Sequence, residues 1–208
     1  LIELSNSSLK EHPDIVIWSE TSFVPAIYYH NRYREYAPGL KVVLRLLDFL
    51  KQQKVPYIVG NDDGRKAKAG TPYETRVDYN ASILFEDGEM KKIYRKVHLV
   101  PFTEHFPYKK ILPWMHQLLL DFDTHFWEKG EDYTVFETGG ITFSTPICFE
   151  DTFGYICSRF VRNGADVLVN MTNDTWSGSE VAEIQHMSMA VFRAIENKRS
   201  MVRSTNSG

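Results

Sequence analysis

Apolar positions along this chain fall into two kinds of run. Short segments rich in β-branched residues recur as "DIVIW" (14–18), "PYIVG" (56–60), "ASILF" (81–85), "GITFSTPIC" (140–148) and "DVLVN" (166–170). Bounded by Pro, Gly or Asp, runs of this length predict buried strands. Between "ILFE" and "EMKKIYRK" stands Asp87-Gly88, a pair suited to a tight hairpin because Gly tolerates positive φ. Two other stretches repeat at helical spacing. Leu40, Val43, Leu44, Leu47 and Leu50 predict one helix ending near Lys54. Ile184, Met187, Val191 and Ile195 predict the apolar face of a second, with Ser177 and Glu180 as a capping box at its start. Strands interleaved with helices predict an α/β layered domain with mixed sheets. No internal repeat or low-complexity linker divides the chain, so residues 1–208 read as one domain.

Composition narrows the function classes. A chain of 208 residues can bury one sizeable core. Its 24 Lys and Arg against 27 Asp and Glu give a net charge of -3, without the basic excess of a nucleic-acid binder. Two cysteines, Cys148 and Cys157, make neither a disulfide framework nor a metal cluster. No run of about 18 apolar residues predicts a membrane span, and no signal peptide is visible. An opening without Met and an ending at "RSTNSG" suggest a piece of a longer protein.

Three segments set a reactive side chain at the carboxyl end of a predicted strand, where layered α/β domains build their sites. "VIWSET" brings Glu20, "YRKVHLVPFTEHFP" brings Lys96 with Glu104 beyond it, and "TPICFED" brings Cys148. Such a trio suits covalent acyl transfer. A thiol with a pKa near 8.5 is only a few per cent thiolate at neutral pH and needs a base, which a desolvated Glu20 can supply. Lys96 and the backbone N–H after the cysteine would hold the oxyanion. Each residue alone also has a bland explanation: Cys148 as a small buried hydrophobe, Glu20 as a cap or ion-pair partner, Lys96 as one charge on a solvated hairpin. A Cys-His site using His98, His105 or His186 lacks any flanking signature. The seven His, scattered without ligand spacing, do not make a metal site.

The segments "DIVIWSET", "YRKVHLVPFTEHFP" and "TPICFED" resemble the glutamate, lysine and cysteine motifs of the nitrilase (carbon–nitrogen hydrolase) superfamily, in that order and with similar separations. Within it, "KVHLVPFTEHFP", "ICFED" and the long stretch "NMTNDTWSGSEVAEIQHMSMAVFRAIENKRSMVRSTNSG" are similar to the apolipoprotein N-acyltransferase branch. The resemblance implies a four-layer α-β-β-α sandwich with mixed sheets, here incomplete at both ends, and membrane helices flanking it in a longer protein. It implies Glu20 as general base, Lys96 as oxyanion stabiliser and Cys148 as nucleophile, supported by Glu104 and Glu150, with Phe149 and Trp176 contacting substrate and no cofactor. The partners it implies are a phospholipid acyl donor and a diacylglyceryl lipoprotein acceptor, at the periplasmic face of a bacterial inner membrane.

Four positions depart from that branch. Ser19 replaces a usual Pro, Thr103 a Gly, Phe149 a Tyr and Ser177 an aromatic; none touches Glu20, Lys96 or Cys148. The stretch 105–127, "HFPYKKILPWMHQLLLDFDTHFW", concentrates Trp, Phe and Leu around Lys109 and Lys110. It reads either as a core helix or as an amphipathic arm at a membrane interface. Two other functions fit the same three residues less fully: a soluble amidase that passes the acyl group to water, and a catalytically silent binding module.

Overall fold

The computed structural model describes residues 1–67, 76–109, 111–121 and 126–206, without the side chains of Gln117, Leu120, Asp121 and Trp176. Its elements in chain order are α1 (Ile2–Ser8), β1 (Val16–Phe23), α2 (Ile27–Tyr33), α3 (Ala37–Lys51), β2 (Tyr57–Asp62), β3 (Arg65–Lys66), β4 (Arg76–Val77), β5 (Asn80–Glu86) and β6 (Glu89–Arg95). There follow α4 (Pro113–Asp121), β7 (Phe136–Thr138), β8 (Ile141–Ser144), α5 (Gly154–Arg162), β9 (Val167–Met171), α6 (Glu180–Asn197) and β10 (Ser200–Ser204).

Two four-stranded mixed sheets form, in the orders β1-β2-β5-β6 and β10-β9-β8-β7. In the first, β1 and β2 run parallel while β5 and β6 close as an antiparallel hairpin. Asp87 (φ 51°) and Gly88 (φ 72°) both take the left-handed conformation at its two-residue turn, as the pair's sequence predicts. In the second sheet β9 pairs in parallel with both β8 and β10, and β7 is antiparallel to β8.

Alternation along the first sheet assigns its two faces. Trp18, Tyr57, Val59, Ile83 and Phe85 pack against Val43, Leu46 and Leu50 of α3 and Ile27 of α2. On the other face, Ile58, Leu84 and Tyr94 join Phe143, Leu168 and Met171 of the second sheet, and that core continues to Ile156, Cys157 and Phe160 of α5. The layers are therefore helix, sheet, sheet, helix: the predicted α/β sandwich. A hydrogen bond between the Ser82 and Thr145 hydroxyls, 2.5 Å, and one from the Ser204 hydroxyl to the Ile17 carbonyl, 3.4 Å, stitch the sheets together.

Several expectations are corrected. The strand predicted at 14–18 runs on to Phe23, so Glu20 lies inside β1 rather than beyond it. That strand is irregular there: Thr21 has φ 44° and the register with β2 shifts between Trp18 and Phe23. Gly60 makes the irregularity possible, because a Cβ on it would stand 2.1 Å from the Ser19 carbonyl oxygen. The strand predicted at 140–148 stops at Ser144, and Cys148 opens a 3-10 turn, Cys148–Thr152. Leu44 of α3 is exposed, and Leu46 takes the buried place instead. Helix α6 has Ser179, not Ser177, at its N-cap position, and Ser179 makes no side-chain capping hydrogen bond. Its predicted core face is also reversed. Ile184, Met187, Val191 and Ile195 are all exposed, at 49% or more, and Ala190 is the buried residue of the helix. Periodicity identifies a stripe but not its direction; α6 turns a mixed face, including His186, toward the protein.

Candidate active site

The cysteine segment is built by a conflict between backbone and side chain. Cys148 has φ 50°, a conformation that non-glycine residues rarely adopt. Two devices hold it there. Asn170 of β9 donates from Nδ2 to the carbonyls of Pro146 (3.2 Å) and Cys148 (3.1 Å). Glu150 accepts from the Ile147 N–H at 2.8 Å, and also from the N–H groups of Val97 (2.8 Å) and His98 (3.0 Å) and from the Tyr94 hydroxyl. One fully buried carboxylate thus ties the cysteine turn to the loop after β6. Burial pushes Glu150 up to about 7 against the opposing pull of Lys96 and these donors.

That second loop begins with Lys96, whose side chain is wholly buried. Its Nζ lies 2.6 Å from Glu104 Oε1 and 3.5 Å from Glu20 Oε1. Burial opposes the ammonium charge, but Glu20, Cys148, Glu104 and Glu150 outweigh it and hold Lys96 above the ordinary lysine value. Glu20 is fixed at both oxygens: Asn80 Nδ2 donates to Oε1 at 2.8 Å and the Asn173 N–H to Oε2 at 2.9 Å. Glu104 is fixed as well, taking the Val100 N–H at 2.8 Å. Burial, with the negative charge of Glu20, pushes the Cys148 thiol up to about 12, although the charge of Lys96 opposes the shift. At neutral pH Cys148 is therefore a thiol facing a carboxylate and an ammonium.

The structure brings Glu20, Glu104, Cys148 and Phe149 to a single cleft of about 400 Å³, whose other walls include Trp127 and Met189. Lys96 lies beneath it and Glu150 behind the cysteine turn. Trp176 sits in the 3-10 turn Thr175–Ser177, but its side chain lies outside the described residues. Within 105–127, residues 110 and 122–125 also lie outside them. In the rest of that arm Phe106 is buried, while Tyr108, Ile111, Trp114 and Leu118 are exposed, and Phe102 beside them is 62% exposed.

Sequence reasoning assigned no individual role to several supporting groups, Asn170 among them. Asn80 was hidden as the polar first residue of an apolar strand, and the Asn173 amide carries no side-chain signal. Thr172 and Asp174 lie within "NMTNDTW", where the resemblance marks the Asn173-Asp174 pair but gives neither Thr172 nor Asp174 a role.

The carbon-nitrogen hydrolase family profile matches residues 1–208. The protein named apolipoprotein N-acyltransferase 1 of Treponema denticola is 46% identical over 222 residues, which cover 100% of this chain and 41% of that protein. Its namesake from Treponema pallidum is 46% identical over 215 residues, covering 100% of this chain and 39% of that protein. The chain thus spans about two fifths of the length of these curated relatives. Among solved structures, a carbon-nitrogen hydrolase from Helicobacter pylori G27 superposes with a TM-score of 0.65 at 16% identity, covering 100% of this chain and 66% of that one. That likeness shows the fold.

Proposed function

The chain belongs to the carbon–nitrogen hydrolase family, and from that premise we propose that it is the catalytic domain of an apolipoprotein N-acyltransferase. The observation that carries the chemistry is a buried cysteine thiol in one cleft with the Glu20 carboxylate, which the buried Lys96 ammonium approaches to 3.5 Å. Such a thiol is inert unless a base takes its proton during attack. Glu20 is the base, oriented by Asn80 and the Asn173 amide. Cys148 Sγ bonds to the acyl carbon of a phospholipid ester as Glu20 accepts the thiol proton. Lys96 stabilises the oxyanion, and Glu104 holds Lys96 in place. The carbon–oxygen bond then breaks, the proton passes to the departing alkoxide, and a lysophospholipid leaves. In the second half, the α-amine of a lipoprotein's diacylglyceryl cysteine attacks the thioester. Glu20 takes the amine proton, the amide forms, and the thiolate is reprotonated. No cofactor enters.

Acyl transfer is favoured over hydrolysis by the relatives' names and by the lining of the cleft. Phe149, Trp127, Val100 and Met189 give an apolar wall suited to an acyl chain, with Trp176 proposed beside them. The exposed residues Phe102, Tyr108, Ile111, Trp114 and Leu118 form a crest suited to the interface of a bilayer. None of the described helices is long and apolar enough to cross a membrane. We place the domain at the periplasmic face of a bacterial inner membrane, as part of a longer membrane protein. The test is lipoprotein triacylation in membranes from cells carrying wild type or Cys148→Ala, with mass spectrometry of the acyl-Cys148 thioester. Equal triacylation by the two would refute the assignment.

A further inference from the structure

Next to the cysteine turn lies a second cluster of charges that the acyl-transfer scheme does not use. His186 of α6 stands between two carboxylates: Nε2 is 2.8 Å from Asp151 Oδ1, and Nδ1 is 2.8 Å from Asp174 Oδ1. Arg203 of β10 closes the ring from the opposite side, with Nη1 2.7 Å from Asp151 Oδ2 and Nη2 3.0 Å from Asp174 Oδ2. Asp151 is fully buried, Asp174 is 5% exposed, and the His186 and Arg203 side chains are only 13% and 14% exposed. Three stations of the sequence, the segments around residues 174, 186 and 203, thus meet a fourth, residue 151, in one closed ring.

Proton counting fixes the charge state. A neutral imidazole donates from one nitrogen and accepts at the other. Here both nitrogens face carboxylate oxygens, which only accept while ionised, and Arg203 donates to the second oxygen of each acid. With the imidazolium the ring holds two positive and two negative charges; with the neutral ring it carries a buried excess of -1 and one lost donor. Burial works against the charged imidazole, but Asp151 and Asp174 outweigh it, Arg203 opposing, and raise His186 above its ordinary value. The other ionisable groups around the ring include Glu180 and Glu183 on the same helix, Glu20 across the cleft, Cys148 in the turn, and Cys157 of α5, which feels the charge of Asp151.

The ring spans the two pieces of backbone that must stay in register for the chemistry. Asp151 lies in the turn that begins with Cys148. Asp174 directly follows Asn173, whose N–H orients Glu20. Between them Thr172 donates to Asp174 Oδ1 at 2.9 Å. We propose that the His186 imidazolium is a positioning residue that locks the nucleophile turn to the loop holding the general base, so that its deprotonation loosens the pair and lowers reactivity. This rests on the Glu20–Cys148 reading above, and it adds a pH-controlled element to it.

The test has two arms on the folded chain. In the first, long-range ¹H–¹⁵N spectra of the wild type follow His186 from acid to alkaline pH. Both nitrogens are expected to carry protons at pH values where a free histidine, with its pKa of about 6.5, is already neutral. A single-proton tautomer there overturns the proposal. In the second arm, chloroacetamide alkylation of Cys148 is followed by mass spectrometry from pH 5 to 10. The logarithm of the wild-type rate should climb with pH and flatten where the spectra show His186 losing its proton. The uncharged His186→Gln should be slower by about tenfold below that point, the loss of one charge-assisted hydrogen bond, and should lack the break. A folded His186→Gln with the wild-type rate and break overturns the proposal. If the variant does not fold, the wild-type spectra and break decide alone. Loss of acyl transfer with both alkylation features intact would count against the acyltransferase reading and leave this one standing.

Discussion

Replacing Lys96 by Met keeps the length of the side chain and removes its charge, leaving Glu20 and Glu104 sharing one neutral donor, Asn80 Nδ2, at 2.8 and 3.4 Å. At an effective dielectric of about 20, the two ion pairs at 2.6 and 3.5 Å are worth about 6 and about 5 kcal/mol of gross attraction. Burying the ammonium offsets much of that. Removing one partner of a buried ion pair typically costs about 3–5 kcal/mol net, because it strands uncompensated charge. Lys96→Met should therefore lose about 3–5 kcal/mol at pH 7 in urea unfolding monitored by fluorescence. A gap under 1 kcal/mol at pH 7 would refute the claim that Lys96 offsets these two acids.

Other consequences are open to simpler measurements. Glu150→Gln keeps the shape but turns an amide NH₂ toward a backbone donor such as the Ile147 N–H; the stranded donor should cost about 1–3 kcal/mol, and an unfolding midpoint equal to wild type would sink the idea. Burial pushes both thiols up to about 12, so native protein at pH 8 should react sluggishly with a disulfide reagent, Cys148 in its cleft before the fully buried Cys157. Two fast equivalents in native protein would contradict that, whereas two after urea are expected. Replacing Ile111 and Trp114 by Ser should weaken binding to phospholipid vesicles several-fold without changing stability, since both are more than 60% exposed; unchanged cosedimentation would exclude the crest as a membrane contact.

The strands and the hairpin could be read from the sequence because their signals are local: β-branched runs end at Pro, Gly or Asp, and Asp87-Gly88 carries its own turn conformation. The motifs containing Glu20, Lys96 and Cys148 were visible for a different reason, their resemblance to a family. Direction was not legible. The α6 stripe of Ile184, Met187, Val191 and Ile195 has the spacing of a core face, yet it points outward, because spacing fixes which residues share a side and tertiary packing decides where that side looks. The supports were equally hidden. Asn80 reaches Glu20 from 60 positions away, and His186 meets Asp151 across 35. Such partners are chosen by the sandwich, and no window of sequence contains both.

The left-handed backbone at Cys148 sets stability and chemistry against each other. A residue with a Cβ costs about 1–2 kcal/mol in that conformation, and glycine alone escapes the cost. Judged on folding alone, Gly is the better residue at position 148, and Cys148→Gly should be more stable than Cys148→Ala although neither retains a nucleophile. Random drift filtered only for thermal robustness would therefore erode this site first at its reactive atom. On the proposed role of Cys148, a cysteine there would record selection for turnover, and a stabilised but silent descendant of this domain would be recognised by glycine in its place.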